Sequence, residues 1–220
     1  CSTLRDIRRV GVIGAGTMGR GIAMACVNAG FQVVLVDASQ DELDKGLANI
    51  RKNYESSVRK GKLTHDQVEQ RIASIKTANE YSQLSGVDLA IEAVFEDMAV
   101  KRSVFAQLDN ICKPGTIMAS NTSFLDIDQL AAGRRRPNDV VGLHFFSPAQ
   151  VMRLVEIVRG AQTSPDVLAT SMAFVRKLGK VGVVAGVCDG FIANRIGFRY
   201  TAAAFDLVEQ GASPQPVDNA

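Results

Sequence analysis

The chain has 220 residues, 46% of them hydrophobic and 22% charged, with a formal net charge of +2. That is an ordinary globular composition with room for one full domain and part of a second, and it lacks the basic surplus that would advertise nucleic acid or an anionic membrane as partner. Its four cysteines, Cys1, Cys26, Cys112 and Cys188, form no C-x-x-C pair and stand near no histidine at ligand spacing, so reduced thiols, no metal and a cytoplasmic setting are expected.

In chain order, residues 1–8 (CSTLRDIR) read as a linker, with no charged-then-apolar leader. Apolar runs of strand length then alternate with longer stretches of helical period, as strand–helix–strand units on a parallel sheet require. The expected strands are RVGVIG (9–14), QVVLVD (32–37), IKTA (75–78), VDLAIEAV (87–94), TIMASN (116–121), DVVGLHFF (139–146), RLVEIVR (153–159) and VGVVAG (181–186). Several are apolar throughout, which suits strands covered on both faces. The longest apolar helical stretch, GIAMACVNAGF, is about half a membrane span, so no membrane insertion is expected. Residues 39–74 form a polar insert of two helices, capped by Ser39 and Thr64, expected to project from the sheet as a hairpin. Arg134, Arg135 and Arg136 read as a solvated helix end. A last helix begins near residue 191, and ASPQPVDNA follows it.

Three glycines, Gly14, Gly16 and Gly19, stand in G-x-G-x-x-G spacing after the first strand and at the opening of a helix, and Asp37 closes the next strand. The three serve, in order, a tight turn, the close approach of a pyrophosphate, and tight helix–strand packing. Helix N-terminal amides receive the phosphates. Asp37 accepts from an adenosine ribose and repels a 2′-phosphate, which favours NAD over NADP; FAD fits the motif alone, but FAD proteins usually need more chain. The fold class is therefore α/β: a Rossmann-type, doubly wound, mostly parallel sheet with a helical-hairpin insert after the second strand. Its dinucleotide-binding domain spans 9–189, and residues 190–220 follow it as a helical segment with an abrupt end.

Two strand-length apolar runs, in VVGLHFFSPAQVMRLVEIV (140–158), each carry an ionisable group: His144 and Glu156. Burying either without a partner is costly. His144 lies toward the carboxyl end of its strand, where open parallel sheets present ligands; a core histidine bonded to a carbonyl is the bland alternative. If the strands are neighbours, the carboxylate orients the ring and leaves its other nitrogen as a base, able to take an alcohol proton beside a nicotinamide. His65, in the polar insert, reads as a surface residue.

With IEAVFEDMAVK, SNTS, GLHFFSPA, LVEIV and CDGFIANR in order along nearly the whole chain, the sequence resembles the NAD-binding portion of the L-3-hydroxyacyl-CoA dehydrogenases of fatty-acid β-oxidation. The resemblance implies oxidation of an L-3-hydroxyacyl-CoA to the 3-oxoacyl-CoA, with NAD as cofactor and an acyl-CoA as substrate. It places the catalytic pair on His144 and Glu156, a substrate-bonding hydroxyl on Ser123 and a polarising amide on Asn194. It also sets Thr17, Met18, Ala93, Val94, Glu96, Lys101, Asn121 and Ser147 around the cofactor, and Lys60 against the CoA phosphates. Without it, Ser123 reads as a helix cap, Asn194 as an ordinary helical residue, and Glu96 with Lys101 as a solvated helix start.

Ser147, where stand-alone mitochondrial-type enzymes have Asn, leans toward multifunctional enzymes that join an enoyl-CoA hydratase to the dehydrogenase; Gln150 departs from the His of many such relatives. The resemblance also implies a helical domain that closes over the substrate, of which residues 190–220 are only the start, so the chain, opening at Cys1 and stopping at Ala220, reads as a segment expected to bind NAD but turn over poorly. A homodimer, or a complex with a thiolase, would be built through regions outside it. The competing readings are a different NAD-dependent hydroxyacid dehydrogenase, and a non-catalytic or crystallin-like protein on the same fold.

Overall fold

The apolar runs form eight strands of one sheet in the computed structural model, which describes residues 3–219. In chain order the elements are β1 (Arg9–Ile13), α1 (Thr17–Asn28), β2 (Gln32–Val36), α2 (Gln40–Arg59), α3 (His65–Ala73), β3 (Ile75–Ala78), β4 (Leu89–Glu92), α4 (Met98–Ile111), β5 (Ile117–Ser120) and α5 (Ile127–Ala131). There follow β6 (Val140–Phe145), β7 (Leu154–Arg159), α6 (Pro165–Lys177), β8 (Val181–Gly186), α7 (Ala193–Glu209) and α8 (Pro214–Asp218).

The strand order is β3-β2-β1-β4-β5-β6-β7-β8, and the first six strands run parallel. The chain winds outward in opposite directions from β1 and β4, and ligands of such sheets bind beyond the carboxyl ends at that switch point. Successive strand residues face opposite sides. Val12, Leu35, Ile91 and Leu143 pack with α1, α2 and α6, whereas Ile13, Val34, Ala90 and Met118 pack with α4 and α5. Helices on both sides explain why these strands are apolar throughout.

The β6–β7 pair is antiparallel. Its connection, residues 146–153, is shorter than the dozen or so residues that a parallel crossover needs. β8 returns through α6 parallel to β7.

Side-chain hydrogen bonds trim several expected elements. β4 stops at Glu92 rather than Val94 because the Glu92 carboxylate accepts the Val94 N–H at 2.8 Å and turns the chain out of the sheet. Ser39 accepts the Glu42 N–H at 3.3 Å, and Thr64 forms a reciprocal capping box with Gln67. The hairpin does not stand clear of the sheet: Leu43, Ile50, Tyr54 and Val68 join the core beside α1, and the Tyr54 hydroxyl donates to Asn28 at 3.0 Å. The polar tail after α7 contains α8, which starts with Pro at its first position.

Two charged segments are also more embedded than their sequence suggests. Within the stretch read as a linker, Ile7 is buried, the Arg5 guanidinium meets Asp139 and Asp166 at 2.8 Å each, and the Arg5 N–H donates to Thr170. The arginine run is not simply a solvated end: buried Asp109 accepts the Arg135 N–H at 2.8 Å, and Arg136 donates to the Lys113 carbonyl at 2.9 Å.

Candidate active site

The glycine turn is shaped by close backbone approaches. Gly14 has φ +102°, and a Cβ there would lie 2.7 Å from the Ala93 carbonyl oxygen. At Gly19 a Cβ would lie 1.7 Å from the Gly14 carbonyl oxygen, whereas at Gly16 it would meet nothing within 4 Å. The turn is thus closed on its inner side and open at the start of α1, where an anion meets free helix amides. Asp37 stabilises the same turn, its two oxygens accepting the Ala15 N–H at 2.8 Å and the Ser39 N–H at 3.0 Å. Gly14, Gly16, Asp37, Ala93 and Val94, with Tyr81, line a cleft of about 360 Å³ beyond β1, β2 and β4. The Asp37 carboxylate has lone pairs left over that could accept the ribose hydroxyls of a dinucleotide's adenosine half in this cleft. Thr17 and Met18 open α1, and Arg20, not singled out from the sequence, donates to the Thr17 hydroxyl at 3.3 Å.

Gly19→Ala is expected to weaken dinucleotide binding, because its methyl cannot coexist with the Gly14 carbonyl. Overpacking of this kind costs about 1–3 kcal/mol, which, falling on the turn that binds the cofactor, is roughly five- to 150-fold in affinity. Titration with NADH fluorescence measures it; an unchanged Kd would locate the cofactor elsewhere.

His144 and Glu156 are directly opposed residues of β6 and β7, 3% and 1% exposed, with His144 Nδ1 2.7 Å from Glu156 Oε2. Against an ionised carboxylate, which only accepts, Nδ1 is the donor of this bond and Nε2 the nitrogen left with a lone pair. The ring is flanked by Phe146 and Phe191, with centroids at 4.3 and 5.7 Å. The bland alternative, a histidine satisfied by a main-chain carbonyl, does not describe this pair.

Ser123 is not a helix cap; Asp126 caps α5. Instead the Ser123 loop is tied to Glu96, which accepts the Ser123 N–H at 2.8 Å and the Thr122 hydroxyl. Burial alone would raise the Glu96 carboxyl, but Thr122, the Lys101 ammonium and the Ser123 N–H together hold it below the usual carboxylate range. Lys101 is 1% exposed, which overturns its reading as part of a solvated helix start. Its ammonium reaches Glu92 at 2.6 Å, Glu96 at 3.1 Å and the Val94 carbonyl at 3.3 Å, using all three donors. Glu92, fully buried and also bonded to Ser120 at 2.7 Å, is the hub that sequence reading missed.

The remaining candidates separate. Asn121 is buried, and its side-chain oxygen accepts the Phe145 N–H at 2.9 Å, tying the ends of β5 and β6 together beside His144. Ser147 is exposed just beyond β6. Asn194 lies half-buried in the first turn of α7. Lys60 is exposed at the end of α2 and lines a different cavity, of about 310 Å³, with Asn53, Tyr54, Arg71 and Gln150. Lys180, also missed, holds the loop before β7 by donating to the Ala149 and Met152 carbonyls at 2.7 and 2.6 Å; burial lowers its ammonium pKa.

Residues 9–188 match the family described as 3-hydroxyacyl-CoA dehydrogenase, NAD binding domain, and residues 190–220 match the corresponding C-terminal domain. The chain belongs to the 3-hydroxyacyl-CoA dehydrogenase family. Among 3-hydroxyacyl-CoA dehydrogenases and their multifunctional relatives, a peroxisomal bifunctional enzyme of Danio rerio is 42% identical over 98% of this chain and 29% of its own length. The chain thus spans under a third of that relative. The solved (S)-3-hydroxybutyryl-CoA dehydrogenase of Ralstonia eutropha is 40% identical with a TM-score of 0.92, over 96% of this chain and 75% of that one. The dehydrogenase part of multifunctional enzyme 1 from C. elegans is 32% identical with a TM-score of 0.80, over 99% of this chain and 50% of that one. NAD is accordingly the cofactor of this 3-hydroxyacyl-CoA dehydrogenase domain, and among the described residues no helix is long and apolar enough to cross a membrane.

Proposed function

We propose that the chain interconverts L-3-hydroxyacyl-CoA and 3-oxoacyl-CoA with NAD. The observation that carries this reading is the buried His144–Glu156 pair, at 2.7 Å, on the sheet that carries the glycine turn. NAD, when bound, supplies the hydride acceptor. His144 Nε2 takes the 3-hydroxyl proton as the C3 hydrogen leaves with its electron pair, so a C=O bond replaces the alcohol. Glu156 balances the imidazolium that results and keeps the ring in one tautomer. The Ser123 hydroxyl and the Asn194 amide bond the substrate oxygens, and Lys101 acts through Glu96 to set the Ser123 loop. Lys60 and its cavity, set apart from the dyad, face the CoA end of the substrate.

We further propose that this is the dehydrogenase part of a larger β-oxidation enzyme, with residues 190–220 opening a helical domain. The multifunctional relatives support this, as does α7, which buries none of its residues and exposes Ile196, Phe198, Tyr200, Phe205 and Leu207. Cys26, Cys112 and Cys188 are free thiols, as a reducing compartment keeps them. The peroxisomal and glyoxysomal names of relatives make that a peroxisome as readily as the cytoplasm.

The test is NADH-dependent reduction of acetoacetyl-CoA, followed as loss of NADH absorbance, by this chain and by the same chain continued through a full C-terminal domain. NADH binding by both and faster turnover by the longer one are expected. No reduction by the longer chain would end the proposal, and equal turnover would remove the need for the second domain.

A further inference from the structure

Glu156 engages His144 with only one of its two oxygens. Oε1 instead accepts the N–H groups of Ile192 at 2.9 Å and Ala193 at 2.8 Å. These amides open α7, whose N-cap residue, Ile192, supplies no side-chain cap. A helix start leaves several N–H groups without intrahelical partners, and its partial positive charge favours an anion. Here the anion comes from β7, far away in sequence, and it is 1% exposed.

The local chain path delivers these amides. Gly190 at φ +70° and Phe191 at φ +49° make a left-handed bend immediately before them. A phenylalanine in that region is strained, and such strain persists only where surrounding contacts hold it. Phe191 is buried against the His144 ring, and the Cys188 thiol donates to its carbonyl at 3.4 Å. Farther along the helix, Phe198 stacks on Phe124 with centroids 5.7 Å apart and planes 7° apart. Phe124 adjoins Ser123. Because α7 buries no residue of its own, these few contacts decide where its first turn sits.

We infer that Glu156 is also a positioning residue for Asn194: its Oε1 latches the start of α7, so one carboxylate sets both the base and the amide that face the substrate. The part played by Asn194 rests on the dehydrogenase reading; the latch does not. A glutamine at 156 retains an oxygen that accepts the α7 amides. Alanine retains none.

Amide hydrogen exchange on the whole chain separates the two roles. Peptides covering residues 190–200 are expected to exchange about tenfold faster or more in Glu156→Ala than in wild type, as local opening allows, while Glu156→Gln and His144→Gln stay near wild type there. Peptides from β1 and β2 serve as the internal reference. Should the alanine variant not fold, Glu156→Met fills the same space without an acceptor and gives the same comparison. Equal exchange in the alanine (or methionine) and glutamine variants would overturn the latch. In acetoacetyl-CoA reduction by the enzyme with its full C-terminal domain, the alanine variant is expected to show a higher KM than the glutamine variant at similar kcat, the mark of lost substrate positioning; identical KM values would remove Asn194 from the inference. Absence of any reduction by the wild-type protein would count against the dehydrogenase reading and leave the exchange result standing.

Discussion

His144→Gln is expected to lower 3-oxoacyl-CoA reduction by about a hundred- to ten-thousandfold, the range that a positioned general acid–base contributes, while NADH affinity is expected to stay nearly unchanged. Glutamine is close in length to histidine, and its amide can still donate to Glu156 Oε2, so the buried carboxylate keeps a partner where Nδ1 now stands at 2.7 Å. What is lost is a nitrogen that can hold a proton between substrate and solvent. The glycine turn and Asp37 lie beyond other strands and are untouched. Steady-state rates with acetoacetyl-CoA, set beside fluorescence titration with NADH, give both quantities. Near-normal turnover by this variant would mean that His144 is not the base.

Lys101→Met is expected to have the largest effect on stability. Lys101 is 1% exposed and Glu92 fully buried, and they meet at 2.6 Å. Removing one partner of such a pair typically costs about 3–5 kcal/mol, because the remaining charge stays buried without compensation. Glu92 would retain only the Val94 N–H and the Ser120 hydroxyl. The midpoint of urea unfolding is expected to fall accordingly, and adding Glu92→Leu to recover part of the loss, since the stranded charge is then gone. A single variant as stable as wild type would show that this pair does not hold the loop. The same substitution frees Glu96 from its cation, so the Ser123 backbone loses a fixed anchor as well.

The strands were legible because each is a bounded apolar run, and the dyad was legible because an ionisable group inside such a run is an anomaly. Glu92 sits in VDLAIEAV and is the same anomaly, as legible in principle as His144 and Glu156. Other features have no local mark. The Asp109–Arg135 contact joins residues on separate elements, and nothing in a run of three arginines says that part of it will be embedded. The docking of α2 depends on a few residues, Leu43, Ile50 and Tyr54, whose stripe is too narrow to distinguish a packed helix from a projecting one. The capping of α7 by Glu156 depends on a bend at Gly190 and Phe191 that no pattern announces. For Ser123 and Asn194, family resemblance supplied the roles; periodicity alone left them ordinary.

The antiparallel alignment of β6 with β7 has a consequence for how active molecules are counted. His144 and Glu156 are opposite one another in only one alignment of that hairpin, and a slip of a single residue turns every side chain of the shifted strand to the other face. A copy with the slipped hairpin would retain its glycine turn and all of its side chains, yet hold His144 and Glu156 apart. On the proposed mechanism turnover then reports sheet alignment, and a refolding yield measured by activity would count only molecules whose hairpin closed in the native pairing.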